Sequence, residues 1–133
     1  MQVFLAAGVP AHQLVVGAPF YGRGYGNVGP ANNGLFQPGA RDAAGDYREV
    51  DYRVLVRRRP AEHGFRRFWH AEAQVPWLYN ADTGVFFSYD GPDGVRAKAD
   101  YVRARGFGGI MFWELGGDDG TLLGTIDEVL RRR

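Results

Sequence analysis

"DGVRAKADYVRARGFGGIMFWE", Asp93 to Glu114, holds two different periods in one run. Val95, Ala99 and Val102 recur at helical spacing, with Asp93 placed as an N-cap and Gly106 as the residue that ends the helix. The apolar run "GIMFW" follows and reads as a buried strand. A helix that turns within a few residues into such a strand is part of a βαβ unit. Its other strand lies upstream. "LVVGAPF", Leu14 to Phe20, is apolar throughout and β-branched at Val15-Val16, the pattern of a strand covered on both faces of a parallel sheet. Downstream, "TLLGTIDEVLRRR" reads as a helix with Thr121 as N-cap and Leu122, Ile126, Val129 and Leu130 on its apolar face. The Arg131-Arg132-Arg133 run suits the C-terminus of that helix, where cations complement the macrodipole.

Between the two strands, residues 24 to about 90 have another texture. Gly, Pro and Asn are dense at first, and short aromatic runs then alternate with turns: "YREVDYRVLV", "FRRFW", "VPWLYNADTG", "VFFSYDG". Twelve of the 19 aromatics lie here, which predicts a small α+β or mostly antiparallel unit with tight turns. Without that insertion the order is strand, helix, strand, helix, an α/β run with parallel strands and a right-handed crossover. Chemistry in such folds gathers at the carboxyl ends of the strands. Those ends are Tyr21-Gly22-Arg23 and Trp113-Glu114, each running into a glycine-rich segment. The glycines of "YGRGYG", Tyr21 to Gly26, read as a break that lets the backbone turn.

Composition narrows the function. The 133 residues suffice for one domain, and 19 aromatics give it ample surface to bury. No apolar run approaches the ~20 residues of a membrane span, so no membrane role is expected. The absence of cysteine excludes a disulfide framework, a thiol nucleophile and a cysteine metal site. Fifteen arginines against the single Lys98 raise the idea of phosphate recognition. They are interleaved with 15 acidic residues to a net charge of +1, so no nucleic-acid partner is expected. The start "MQVFLAAGVPAH" has no basic n-region and reads as a helix end and turn rather than a signal peptide.

Two constellations remain. Trp113-Glu114, followed by Asp118-Asp119, sets an aromatic face beside carboxylates. An indole packs on the apolar face of a sugar ring and carboxylates accept its hydroxyl or amide hydrogens. The alternative is a core tryptophan followed by an acidic entrance to the Thr121 helix, and for Asp118 and Asp119 that is the preferred reading. Tyr21-Gly22-Arg23 offers a hydroxyl, a close-approach glycine and a fixed cation. Arg23 could orient a ligand or pair with a carboxylate of the neighbouring strand, Glu114 being the candidate. Trp69, Trp77, Tyr79, Phe86, Phe87 and Tyr89 read mainly as the core of the inserted unit, with a stacking wall as the other possibility. His12, His63 and His70 have no metal-ligand spacing, and no P-loop or G-x-S-x-G is present, so neither metal nor cofactor is expected.

"LVVGAPFYGRGY", "EVDYRVLV" and "FWHAEAQVPWLYNADTGVFFSYDGPDGVRAKADYVRARGFGGIMFWELGGDDGTLL" together resemble glycoside hydrolase family 18, the chitinase family, in the bacterial type with a chitinase insertion domain. The likeness extends over essentially the whole chain. It implies a partial TIM (β/α)8 barrel. Residues 1–23 and 91–133 would be the last two strands and helices of the catalytic domain, and 24–90 an α+β insertion domain walling the cleft. It implies that Trp113 floors the subsite of the reacting sugar. Tyr21 and Arg23 would lie at the rim and base of the cleft, with Glu114 as a supporting ion beside them. The implied partner is chitin or N-acetylglucosamine oligosaccharides, and the implied parent enzyme is extracellular.

The family's acid catalyst belongs to an Asp-x-x-Asp-x-Asp-x-Glu motif that these 133 residues do not contain; its Met-x-Tyr-Asp motif is absent too. "FSYD", Phe87 to Asp90, imitates the latter but falls by register at the end of the inserted unit. Two positions depart from the family within the matched region: His70 where an aspartate is frequent, and Gly94 where a serine often opens the helix. The expectation is a C-terminal portion of a chitinase with cleft residues and no catalytic residue of its own, or else a non-catalytic chitin-binding piece. An eight-stranded barrel takes ~250 residues. Two strands with open edges are therefore expected to make the isolated chain poorly soluble or dimeric, with residues 24–90 the best ordered.

Overall fold

The computed structural model describes residues 1–132. In chain order the elements are α1 (Gln2–Ala6), β1 (Val15–Pro19), β2 (Tyr21–Tyr25), β3 (Glu49–Asp51), α2 (Tyr52–Arg58), β4 (Arg66–His70), β5 (Val75–Asn80), β6 (Val85–Tyr89), α3 (Pro92–Arg105), β7 (Gly109–Trp113) and α4 (Thr121–Arg131). They make an α/β structure with two sheets.

The first sheet is the predicted parallel pair, β1 with β7, in register from Val15 opposite Gly109 to Pro19 opposite Trp113. Helices α3 and α4 pack together and cover one face of it. Ala18 and Phe20 meet Val95, Leu122 and Ile126 there, with Ile110 and Phe112 against them. The rings of Phe20 and Phe112 stack with centroids 4.8 Å apart. The other face is not covered among the described residues. Val15, Met111 and Trp113 are 50, 54 and 65% exposed, which corrects the expectation of strands buried on both sides. An unbroken apolar run says that both faces want cover; it does not supply the second layer.

The helices follow their apolar positions, with different caps from those expected. Val95, Ala99 and Val102 are buried, as the spacing predicts, and Gly106 ends α3 in the left-handed region at φ 62°. The N-cap of α3 is Gly91 rather than Asp93, because Pro92 takes the first helical position with its fixed φ. Asp93 sits in the first turn and accepts a 2.7 Å hydrogen bond from Arg67. The N-cap of α4 is Gly120, one residue before Thr121. Its free N–H groups are satisfied by the preceding aspartates: Thr121 donates to Asp119 (3.0 Å), while Leu122 and Leu123 donate to Asp118 (3.1 and 2.9 Å). Leu122, Ile126 and Val129 are buried, whereas Leu130 is 38% exposed. Arg131 lies in the last turn, and Arg133 of the arginine run is outside the described residues.

The second sheet is antiparallel, in the order β3-β2-β6-β5-β4. One face packs Val50, Leu78 and Phe87 on Leu55 of α2 and on Phe65. The other buries Trp77 and Tyr79 under the loop that carries Val28 and Leu35. "YGRGYG" is therefore not a turn: Tyr21–Tyr25 is a strand of this sheet, and the sheet begins at Tyr21 rather than 24. The glycines serve close approach. A Cβ on Gly22 would strike the Phe87 ring and lie 2.7 Å from the Ser88 carbonyl oxygen. Phe20 alone separates the two sheets. Its N–H donates to the Trp113 carbonyl (2.7 Å), and its own carbonyl accepts from Tyr52 (2.9 Å).

Candidate functional site

Trp113 is the last residue of β7 and is opposite Pro19 in the register. One residue past Pro19 the chain enters β2, which returns Tyr21 and Arg23 to the side on which the indole lies bare. Tyr21 and Arg23 are two apart on one strand and so share a face. The Arg23 guanidinium lies 5.2 Å from the centre of the Tyr21 ring, in cation–π range. β3 pairs with β2 so that Glu49 is opposite Arg23 and Asp51 opposite Tyr21. Together with Glu114 these side chains line one open pocket of about 260 Å3: Tyr21, Arg23, Glu49, Asp51, Trp113 and Glu114. All four residues singled out from sequence thus meet in one place.

Two others were missed. Glu49 and Asp51 flank the buried Val50 at strand period, which puts both on the face opposite the core. The "EVD" alternation carries that signal once Val50 is known to point inward. The expected Arg23–Glu114 ion pair does not form. Arg23 Nε lies 3.3 Å from Glu49, which also holds Arg41 at 3.4 Å. Register decides this, because Glu49 is the direct cross-strand partner of Arg23. Glu114 is exposed and pairs with no cation among the described residues.

Asp118 and Asp119 belong to the helix entrance, as preferred from sequence. Hydrogen bonds from Thr121 hold the Asp119 carboxyl below its ordinary range, so it caps α4 as an anion. Of the aromatic series, Trp77, Tyr79 and Phe87 are core, while Trp69, Phe86 and Tyr89 are partly exposed. No histidine lines the pocket, and no cluster of three His, Cys, Asp or Glu among the described residues could hold a metal.

The pocket offers an apolar indole face, a phenol, a guanidinium and three carboxylates. Such a set suits a neutral ligand with hydroxyl and amide groups: the ring stacks on the indole while the rim donates and accepts hydrogen bonds.

The chain is 42% identical over 120 residues to Chitinase A1 of Niallia circulans, a match covering 88% of this chain and 17% of that protein. The crystal structure of chitinase ChiW from Paenibacillus sp. str. FPU-7 superposes at a TM-score of 0.89 with 32% identity, over 99% of this chain and 15% of that one. A class V chitinase of Nicotiana tobaccum in complex with NAG4 superposes at 0.85 with 29% identity, over 98% of this chain and 38% of that one. The chain thus spans less than two fifths of the length of each of these relatives. The sequence pattern of Glycosyl hydrolases family 18 matches residues 1–118, and by that match the chain belongs to the family.

Proposed function

We propose that this chain is the C-terminal part of the catalytic domain of a secreted chitinase, an enzyme that hydrolyses β-1,4-linked N-acetylglucosamine polymers with retention. On this reading β1, β7, α3 and α4 are the last two strands and helices of a TIM barrel, and the antiparallel unit is the insertion domain that walls the cleft. The observation that carries it is the bare Trp113 indole at a parallel-strand end, ringed by Tyr21, Arg23, Glu49, Asp51 and Glu114.

In the family's substrate-assisted scheme a glutamic acid protonates the glycosidic oxygen and the substrate's own N-acetyl carbonyl attacks the anomeric carbon. The residues of this chain serve that scheme by binding. Trp113 holds the apolar face of the reacting sugar and fixes its plane. Tyr21 and Arg23 meet its polar edge, with Arg23 held in place by Glu49. Glu114 accepts hydroxyl or amide hydrogens from the rim. The Asp-x-x-Asp-x-Asp-x-Glu motif is not among these residues, so the acid comes from elsewhere in the enzyme.

Retention on chitin beads tests the binding role. The purified chain is expected to be retained and Trp113→Ala to pass through; a wild-type chain that is not retained sinks the reading. The same material is expected to leave a chromogenic chitobiose substrate uncut. Turnover at a rate proportional to chain concentration would show that the acid is here after all.

A further inference from the structure

The core under the parallel pair and the core of the antiparallel sheet meet at Tyr89. Its ring packs against the cluster of Phe20, Tyr52 and Val95 and against that of Leu55, Leu78 and Phe87. Between the two clusters lies a half-enclosed cavity of about 260 Å3. Tyr52 lines it from the first core, Leu55, Phe65 and Leu78 from the second, and Tyr89 from both. Gly91 and Pro92 line it too, where the chain leaves the antiparallel sheet for α3. Strand alternation puts Arg67, Leu78 and Tyr89 on the sheet face opposite Arg23, so this cavity is separate from the Trp113 pocket. Seams between packed units are where small-molecule sites preferentially form.

The chemistry of the lining selects the ligand. Leu55, Phe65 and Leu78 are buried and apolar, while Val56, Ala61 and Arg67 are exposed and mark the mouth. The Arg67 guanidinium donates to Asp93 at 2.7 Å, so its charge is already matched. It also lies within hydrogen-bonding reach of the Tyr89 hydroxyl. That oxygen accepts from Arg67 and keeps its own proton for a further acceptor. Burial raises the Tyr52 phenol to about 12, with Asp119, Tyr89, Asp118 and Asp93 adding to the rise, so it stays a neutral O–H group. The same three carboxylates disfavour a second anion here. What remains is an apolar wall with O–H donors at its edge. A cavity of about 150 Å3 holds benzene, so one of 260 Å3 takes roughly ten carbons.

We propose that this cavity is a binding site for a small, uncharged, largely apolar molecule with a single hydroxyl, and that its occupant braces the two sheets against each other. The carbon body fills the space between Leu55, Phe65 and Leu78, and the ligand oxygen accepts from the Tyr89 O–H. The occupant touches both cores beside Tyr52, whose N–H donates to the Phe20 carbonyl at the junction of the sheets. The site is independent of sugar recognition at Trp113.

NMR titration of the 133-residue chain with menthol, a C10 alcohol, tests it. Saturable shifts are expected in the methyl groups of Leu55, Val56 and Leu78. No saturable shift up to the solubility of menthol, or shifts confined to Val15, Met111 or the Trp113 indole, overturns the site. Tyr89→Phe keeps the ring against both cores and is expected to weaken binding about three- to tenfold through the lost hydrogen bond. Ala61→Phe sets a ring at the mouth and is expected to weaken it about tenfold or more. Unaltered affinity in Tyr89→Phe overturns the ligand class, and unaltered affinity in both variants overturns the site. Thermal melts matching wild type verify that the variants are folded; Tyr89→Phe decides alone if Ala61→Phe is not. Bound menthol is expected to slow hydrogen exchange at the Tyr52 amide severalfold. An unchanged rate in the saturated chain overturns the bracing role.

Discussion

At the scale of single residues, Trp113 shows what a spacing argument can and cannot reach. An aromatic at a strand end before glycines left a sugar platform and a core tryptophan equally open, and the structure leaves the indole bare. The partner of Arg23 was not readable. Glu49 and Glu114 are chemically alike in sequence, and only the β2–β3 register chooses between them. Both members of the Arg23–Glu49 pair are about half exposed, so the pair adds little to stability. Glu49→Gln is therefore expected to shift a urea melt by less than about 1 kcal/mol while weakening retention on chitin, because Arg23 loses its anchor. A large stability loss with unchanged retention would contradict that. Gly22 is the opposite case. Alanine there meets a ring and a carbonyl oxygen in the packed face of the sheet. Gly22→Ala is expected to cost about 1–3 kcal/mol in the same melt.

At the scale of elements, the four members of the strand–helix–strand–helix run were legible because their periods are strong and their lengths ordinary. The strand at "YGRGYG" was not. Glycine's turn propensity outvoted the alternation, although the glycines alternate with Tyr21, Arg23 and Tyr25 on the open face. Helix α2 was hidden in an aromatic and β-branched run, where tertiary burial of Tyr52 and Leu55 overrides local preference. Helix α4 rests on charges that can be titrated. Hydrogen bonds from Arg96 of α3 and from Arg132 draw the exposed Glu128 carboxyl down from 4.5 to about 2, and Asp119 is also lowered. A carboxylate depressed in the folded state contributes stability above its unfolded value, which is lost as pH falls through the folded one. The thermal midpoint is thus expected to drop as pH falls from about 4.5 toward about 2, and Glu128→Gln to flatten that limb. An acid limb of the same steepness in Glu128→Gln would remove the clamp from the explanation. Asp118 accepts two backbone N–H groups, so Asp118→Ala is expected to lower stability by about 1–2 kcal/mol at neutral pH.

At the scale of the whole molecule, the parallel pair is an incompletely covered layer. Val15, Met111 and Trp113 form an apolar strip on its open face, and among the described residues β1 and β7 each pair with only one strand. The chain is accordingly expected to self-associate, with weight-average mass in sedimentation velocity rising with concentration. Substituting lysine for both Val15 and Met111 is expected to suppress the rise. A wild-type chain monomeric at every concentration would refute it. Strand polarity and order were legible in the sequence. The bareness of one face was not, because hydrophobicity records what a strand prefers rather than what lies against it.

Phe20 remains, the one residue between the two sheets. Through its own backbone it is bonded to Trp113 on one side and to Tyr52 on the other, and a Cβ on Gly117 would lie 2.6 Å from its carbonyl oxygen. The two sheets are therefore riveted through a single residue. Neither sheet can open far at this end without breaking the other's bond. Amide hydrogen exchange should show it: the Phe20 and Tyr52 amides are expected to exchange at matching rates, as members of one cooperative opening unit.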